Sequence, residues 1–244
     1  KNFAKVYKLK FETPEGKHEY VHQTCYGVSE RVIAAVMMVH GDDVGLCLPP
    51  TVAPIQVVVV PIPFKGGGET VQQTATSLKE ELAAAGIRVE LDNRDLRPGR
   101  KFYHWERRGV PLRLEVGPDD VKKDQVTLVR RDTGETRAIP RGALRTEVKR
   151  MLDEINGNLR ERAWKSFRKA MQDASDIEAV KRVMEKRGGI VRVSWCGEEA
   201  CGKALEDQTG GDMLGEEFDG KDSVGTCPIC SKQANTSVLI SRTY

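Results

Sequence analysis

The sequence predicts a multidomain chain of mixed α/β and α+β class. Three observations carry that expectation. A continuous β-branched run, Val57-Val58-Val59-Val60, precedes a helical stretch and a second short strand, the order of a parallel βαβ unit. Four late cysteines fall in two pairs, Cys196/Cys201 and Cys227/Cys230, a spacing suited to metal-binding turns. The length, 244 residues, suffices for one large domain or about two to three small ones.

Taken in order, Phe3 to Phe11 alternates like a strand, Pro14-Glu15-Gly16-Lys17 is a turn, and Glu19 to Thr24 returns as a second strand. Ser29 to His40 follows as an apolar helix with Ser29 as N-cap. A hairpin and one such helix cannot bury their own apolar faces, so residues 1–50 are expected to be the end of a larger domain. Pro49-Pro50 and Pro54 mark a boundary. Residues 51–157 then read as an α/β domain: strand 56–62, a glycine run at 66–68 that serves as a connector, helix 70–85 closed by Gly86, and strand 87–91. Helix 100–108, strands 112–116 and 125–130, and a helix over 143–159 complete it. Residues 158–244 change in texture. Two helices are expected at 159–174 and 177–186, then strands at 190–195 and 238–240.

Composition excludes several classes. With 39% hydrophobic and 31% charged residues the chain is not a disordered one. No apolar run approaches the roughly 18 residues of a membrane span, and Lys1 to Lys10 holds no signal-peptide core. Six cysteines are too few for a disulfide scaffold, which points to a reducing cytoplasm. A net charge of +3 does not demand a nucleic-acid partner, so local distribution must decide.

Cys227-Pro228-Ile229-Cys230 is a C-x-x-C knuckle, and Cys196 to Cys201 a looser C-x4-C. Two thiolate pairs from separate turns can close a tetrahedral S4 shell around zinc, leaving no position for water or substrate. The site would be structural. A redox C-x-x-C or unrelated buried thiols are the alternatives; Pro228 and the polar sequel 231–235 favour the knuckle. Cys25 and Cys47 stand apart and read as buried or pocket thiols. Between Asp92 and Arg113 seven Lys/Arg face three acids, with Phe102, Tyr103 and Trp105 interleaved. That mixture suits phosphates and stacked unpaired bases. A solvated helix with Phe102 and Trp105 in the core is the plainer reading, and both are expected in the core in either case.

The run Gln23-Thr24-Cys25-Tyr26-Gly27-Val28-Ser29-Glu30-Arg31, with its apolar helix and His40-Gly41-Asp42-Asp43, resembles motif 3 of class II aminoacyl-tRNA synthetases. Asp92, Arg94, Pro98-Gly99, Lys101-Phe102, Trp105-Glu106, Gly109-Val110-Pro111, Arg113, Glu115 and Gly117-Pro118 extend the resemblance. Together with the cysteine spacing and the terminal Tyr244 they resemble the C-terminal half of prolyl-tRNA synthetases of the archaeal/eukaryotic type.

The resemblance implies proline–tRNA ligation with ATP and Mg2+, L-proline and tRNA(Pro) as partners, and a homodimer in the full-length protein. It implies the end of a class II catalytic domain (antiparallel sheet and motif 3 helix), an α/β anticodon-binding domain with mixed sheet, and a small α+β zinc-binding C-terminal domain. Arg31 is implied as the catalytic residue on the ATP triphosphate, with Ser29 beside it; an N-cap serine and a structural ion pair are the plainer readings. Cys25, Tyr26, Gly27 and Tyr244 are implied to line the substrate pocket, where relatives often carry Ser-Trp in place of Cys25-Tyr26. Lys101, Glu106 and Arg113 are implied to bind the anticodon, and Cys196, Cys201, Cys227 and Cys230 the Zn2+. Motifs 1 and 2 would precede Lys1, so these 244 residues alone are expected to be inactive in ligation. A tRNA-binding fragment without catalysis, or a regulatory relic of the fold, is the alternative.

Overall fold

The computed structural model describes residues 1–62, 68–185, 189–216 and 225–243. They group into two compact units. One comprises Lys1–Leu48, Val52–Arg131 and Glu135–Ala138; the other comprises Pro49–Thr51, Asp132–Gly134 and Ile139–Tyr244.

The first unit opens with helix α1 (Asn2–Val6), where the alternating pattern of Phe3 to Phe11 predicts a strand. The reason lies in spacing. Phe3 and Tyr7 are four residues apart, as helical neighbours are, and their rings stack at 6.5 Å. Strands β1 (Lys10–Glu12) and β2 (His18–Tyr20) then form the expected antiparallel hairpin, with Lys10 opposite Tyr20. It is shorter than expected, because 21–29 has no regular secondary structure. Helix α2 (Arg31–His40) begins after Glu30, and no side-chain hydrogen bond caps it, which corrects the expected Ser29 cap. None of its residues is buried, so its apolar character does not mark a buried helix here.

Strand β3 (Val57–Pro61) is buried at all five positions, as its unbroken β-branched run requires. Helix α3 (Gly68–Ala84) buries Val71, Ala75, Leu78 and Leu82 on one stripe. Gly66 and Gly67 of the expected connector lie outside the described residues, and Gly68 opens α3. Strand β4 (Val89–Leu91) runs parallel to β3, helix α4 (Pro98–Arg107) packs on β3, and strand β5 (Leu112–Val116) also runs parallel to β3. A short helix α5 (Pro118–Lys122) leads to β6 (Gln125–Arg130), antiparallel to β5. Strand β7 (Thr136–Pro140) completes a mixed five-stranded sheet of order β4-β3-β5-β6-β7. Val58 and Val60 meet Trp105 and Val110 in one cluster, with Ile55 and Phe102 packed against it, so Phe102 and Trp105 are core as expected.

In the second unit, helix α6 (Leu144–Ala170) follows a 3-10 turn at Arg141–Ala143. It runs straight through Asn156-Gly157-Asn158, where the sequence suggests the change from one helix to the next. Both asparagines are anchored. Asn156 Oδ1 accepts from the Thr51 N–H at 3.4 Å, and Asn158 Nδ2 donates to Asp132 Oδ2 at 2.6 Å. Ala170 ends the helix, and the residues expected to prolong it form strand β8 (Met171–Ala174) instead. Helix α7 (Ile177–Glu185), strand β9 (Ile190–Trp195), helix α8 (Glu199–Thr209), strand β10 (Asp212–Glu216) and strand β11 (Thr236–Ser241) follow. The sheet order is β10-β11-β9-β8, and only β8–β9 is parallel. Val180, Met184, Val191, Val193, Leu205, Val238 and Ile240 form its core.

Candidate functional site

Helix α4 and strand β5 bring the first constellation together. Pro98 at the first turn of α4 fixes the helix start, and an amphipathic pattern turns Lys101 and Trp105 inward. Glu106, one residue beyond Trp105, is turned about 100° from it around the helix. Its Oε1 accepts from Arg113 Nη1 at 2.7 Å. Arg113, on β5, also donates from Nε to Glu115 Oε1 at 2.8 Å. Its guanidinium lies 4.1 Å from the Phe102 ring centroid. A cation stacked on an aromatic face and flanked by two carboxylates is held in one orientation. Glu106 and Arg113 thus meet in one ion pair.

Lys101 does not join them. It is 4% exposed, and its Nζ donates to the Asp92 carbonyl at 2.9 Å. The expectation that it binds the anticodon is corrected accordingly: its ammonium ties α4 to the end of β4. Asp92 is the centre of that tie. Its carboxylate accepts from Arg94 Nε at 2.9 Å, from Arg94 Nη2 at 2.6 Å and from Trp105 Nε1 at 2.7 Å. Burial raises its pKa, but the hydrogen bonds from Arg94 and Trp105 outweigh that and bring it down to about 2. His104 stands edge-on to Trp105 at 4.9 Å. Its pKa is lowered by burial and by the neighbouring Arg94 and Arg108. A cleft of about 670 Å³ lies beside this cluster, with Asn93, Arg94, His104 and Arg108 in its wall.

Arg131, which sequence reasoning missed, locks this face to Asp42 in the segment after α2, a residue that reading names only within the motif. Arg131 donates to Asp42 Oδ2 at 2.8 Å and to Oδ1 at 2.5 Å. Its Nε donates to the Glu106 carbonyl at 3.1 Å. The hydrogen bond to Arg131 holds the Asp42 carboxyl well below its usual range, at about 2. Alongside, the Leu46 N–H donates to the Arg107 carbonyl and the Leu48 N–H to the Gly109 carbonyl, both at 3.1 Å. The two backbones touch. A Cβ on Gly45 would sit 2.5 Å from Arg107 Cα, and one on Gly109 would sit 2.7 Å from the Leu46 carbonyl carbon. No local sequence signal announces an ion pair that spans 89 positions.

The other expected site residues lie on the first 50 residues. Arg31 is the first residue of α2, and Ser29 precedes it in the irregular segment; both are exposed. Cys25, Tyr26 and Gly27 are also exposed, Tyr26 at 93%, so the described residues gather no enclosed pocket around them. Cys25 is an exposed thiol rather than a buried one, whereas Cys47 is buried as expected. Tyr244 lies outside the described residues.

The four late cysteines converge. All their sulfurs lie within 4.8 Å of one another, and Cys230 Sγ is 3.7 Å from Cys196 Sγ. Four sulfurs about 2.3 Å from one metal stand roughly 3.8 Å apart in a tetrahedron, so the donor set fits zinc. Cys196 directly follows β9, Cys201 sits in the first turn of α8, and Cys227 and Cys230 share a tight turn closed by Ser231 N–H to Cys227 C=O at 2.9 Å. Asn235 Nδ2 donates to the Cys196 carbonyl at 3.0 Å and braces the two turns together. Burial pushes the Cys201 thiol up to about 12. Burial also acts upward on Cys227, yet backbone N–H groups of Cys230, Ile229 and Cys196 bring it down to about 7. N–H groups aimed at a sulfur stabilise a thiolate, the form that binds metal.

The family model described as anticodon binding domain matches residues 56–151, and that of the prolyl-tRNA synthetase C-terminal domain matches residues 177–244. Among curated proteins, the proline–tRNA ligase of Methanothermobacter thermautotrophicus is 47% identical over 98% of this chain and 49% of its own length. That of Thermococcus kodakarensis is 48% identical over 100% of the chain and 51% of its own length. That of Methanococcoides burtonii is 47% identical over 100% and 50%. The chain spans about half the length of the curated relatives it matches. Among the described residues, no helix is long and apolar enough to cross a membrane.

Proposed function

The chain belongs to the prolyl-tRNA synthetase family, aligning with about half the length of its archaeal members, and from that premise we propose that it serves the ATP-dependent ligation of L-proline to tRNA(Pro). In that reaction the proline carboxylate attacks the α-phosphate of ATP, releasing pyrophosphate and leaving prolyl-adenylate. A terminal ribose hydroxyl of the tRNA then takes the prolyl group and releases AMP. The part of this chain is to hold the anticodon, to supply Arg31 for the triphosphate charge with Ser29 beside it, and to carry a structural metal domain. Mg2+ enters with ATP, on its phosphates. Cys25, Tyr26, Gly27 and Tyr244 are proposed for the proline side of the pocket, from the resemblance alone. A cytoplasmic homodimer is the proposed setting.

The observation that carries the reading is the Glu106–Arg113 pair, fixed over Phe102. A guanine presents N–H donors on its Watson–Crick edge and acceptors at O6 and N7. A carboxylate beside a guanidinium matches that pattern, and an unpaired base can find an aromatic surface and a cleft close by. The family-model matches at 56–151 and 177–244 fall within the proposed anticodon-binding domain, 51–157, and metal-binding domain, 158–244; residues 1–50 are proposed as the end of the class II catalytic domain from the resemblance alone. Cys196, Cys201, Cys227 and Cys230 would hold Zn2+, which cross-links two turns and takes no part in the reaction.

A second reading, tRNA binding without ligation by this chain alone, is favoured by Arg31 standing on a helix none of whose residues is buried. The deciding experiment measures binding of tRNA(Pro) and of the same tRNA with its anticodon guanines replaced, at fixed salt. Weaker binding after replacement, and loss of that difference in Glu106→Ala, supports anticodon reading. Equal affinity for both RNAs rejects it. Proline-dependent exchange of pyrophosphate into ATP by the 244 residues alone would reject the second reading.

A further inference from the structure

We infer that the last turns of α6 form a second nucleic-acid contact, an aromatic and cationic platform that takes an unpaired nucleotide of the bound tRNA. The inference rests on the tRNA-binding reading above. The stripe that anchors α6 ends at Leu159; no residue after it in the helix is buried. Yet the exposed end is not an ordinary solvated helix. Trp164 is 49% exposed and Phe167 40% exposed, and their rings meet edge-to-face at 5.6 Å. The Arg168 guanidinium lies 5.8 Å from the Trp164 ring centroid. Arg160 is one helical turn before Trp164, and Arg168 one turn after it, so Arg160, Trp164, Phe167 and Arg168 share one face.

Charge decides what covers these rings. From Arg160 to Lys169 five cations accompany one acid, whereas the whole chain carries a net charge of only +3. Two large rings left in water cost free energy unless something stacks on them. Facing copies of so cationic a surface would repel each other. A nucleotide satisfies both features: its base stacks on the indole, and its phosphates pair with Arg160 and Arg168. Every base has a π-face, so the contact should be blind to sequence, unlike the reading at Glu106 and Arg113.

The test titrates the full chain with tRNA(Pro) and with the anticodon-replaced tRNA across a salt series. Trp164→Ala combined with Phe167→Ala should weaken both RNAs by the same factor, about tenfold. Arg160→Gln with Arg168→Gln should lower the slope of log affinity against log salt by about 1.4, the share of two phosphates on a single strand. Trp164→Tyr should restore most of the affinity. Both rings are exposed, so circular dichroism should match the parent protein. Unchanged tRNA affinity in the double alanine variant, with anticodon discrimination intact, overturns the platform and leaves the proposed function standing. A loss confined to tRNA with the native anticodon also overturns it, as does a change in self-association instead of RNA binding. A parent chain that binds neither RNA overturns the platform and the tRNA-binding reading together.

Discussion

Arg131 grips Asp42 through both of its terminal nitrogens while its Nε holds the backbone carbonyl of Glu106. One guanidinium thus joins the segment that follows α2 to the residue proposed to read a base. Its side chain is only 7% exposed, so its partners are not readily replaced by water. Arg131→Met keeps the stem and removes the five donors. We expect a loss of about 1–3 kcal/mol in urea unfolding and faster amide exchange at Leu46 and Leu48. Unaltered exchange at those two amides would show that the backbone pairing holds without the arginine.

Asp92 gives the fold an acid limit. Its pKa in the folded chain is about 2, against an ordinary value of 3.8. A carboxyl depressed by folding adds stability that is present above its unfolded pKa and disappears as pH falls through the folded one. The window therefore runs from about pH 4 down to about pH 2, and the contribution is about 2 kcal/mol. Asp92→Asn should flatten the dependence of the urea midpoint on pH in that window, while lowering stability at pH 7. A variant with the same slope as the parent would remove Asp92 as the cause.

Gly109 is one of the positions where two backbones come close to a conflict. Its φ is +72°, and an added Cβ would stand 2.7 Å from Leu46. Gly109→Ala should destabilise by at least about 2 kcal/mol, combining left-handed strain with the clash. Gly142→Ala, whose added Cβ would meet nothing within 4 Å, is the control and should stay within about 0.5 kcal/mol. Comparable losses in the two variants would count against close approach as the cause.

The cysteine cluster predicts metal content. Freshly purified protein should carry about one zinc per chain, and Cys227→Ser should abolish binding. Chelation should lower the melting temperature of the unit that contains β8 to β11 and leave the five-stranded sheet folded. Metal-free protein with an unchanged melting profile would show that packing alone holds these turns.

The features legible in the sequence were those set by neighbours along the chain. Val57 to Val60 announce a strand buried on both faces, and the cysteine spacings announce their convergence. Phe3 and Tyr7 mislead, because bulk at every other position also fits a helical turn when only a short stretch is read. Asn156-Gly157-Asn158 resembles a helix end, yet Thr51 and Asp132 supply distant partners that keep both asparagines in register. The same holds at the candidate site. Glu106 and Arg113 were recognisable from motif and residue type. The inward turn of Lys101 depends on a carbonyl at the end of another strand, and the Asp42–Arg131 pair on contacts far apart in sequence. Neither leaves a periodicity to read.

The register of β3 has a consequence for how the chain is made. Val57 pairs with Val89 on one side and with Leu112 on the other. During synthesis this strand waits with both edges open until Leu91 has been delivered, and with one edge open until the ribosome has delivered the chain through Val116. At that moment the scaffold beneath Glu106 and Arg113 can close, while Cys227 and Cys230 have yet to be translated. Scarcity of zinc in the cell would therefore strike the last-made part of the molecule and spare the sheet that emerged before it.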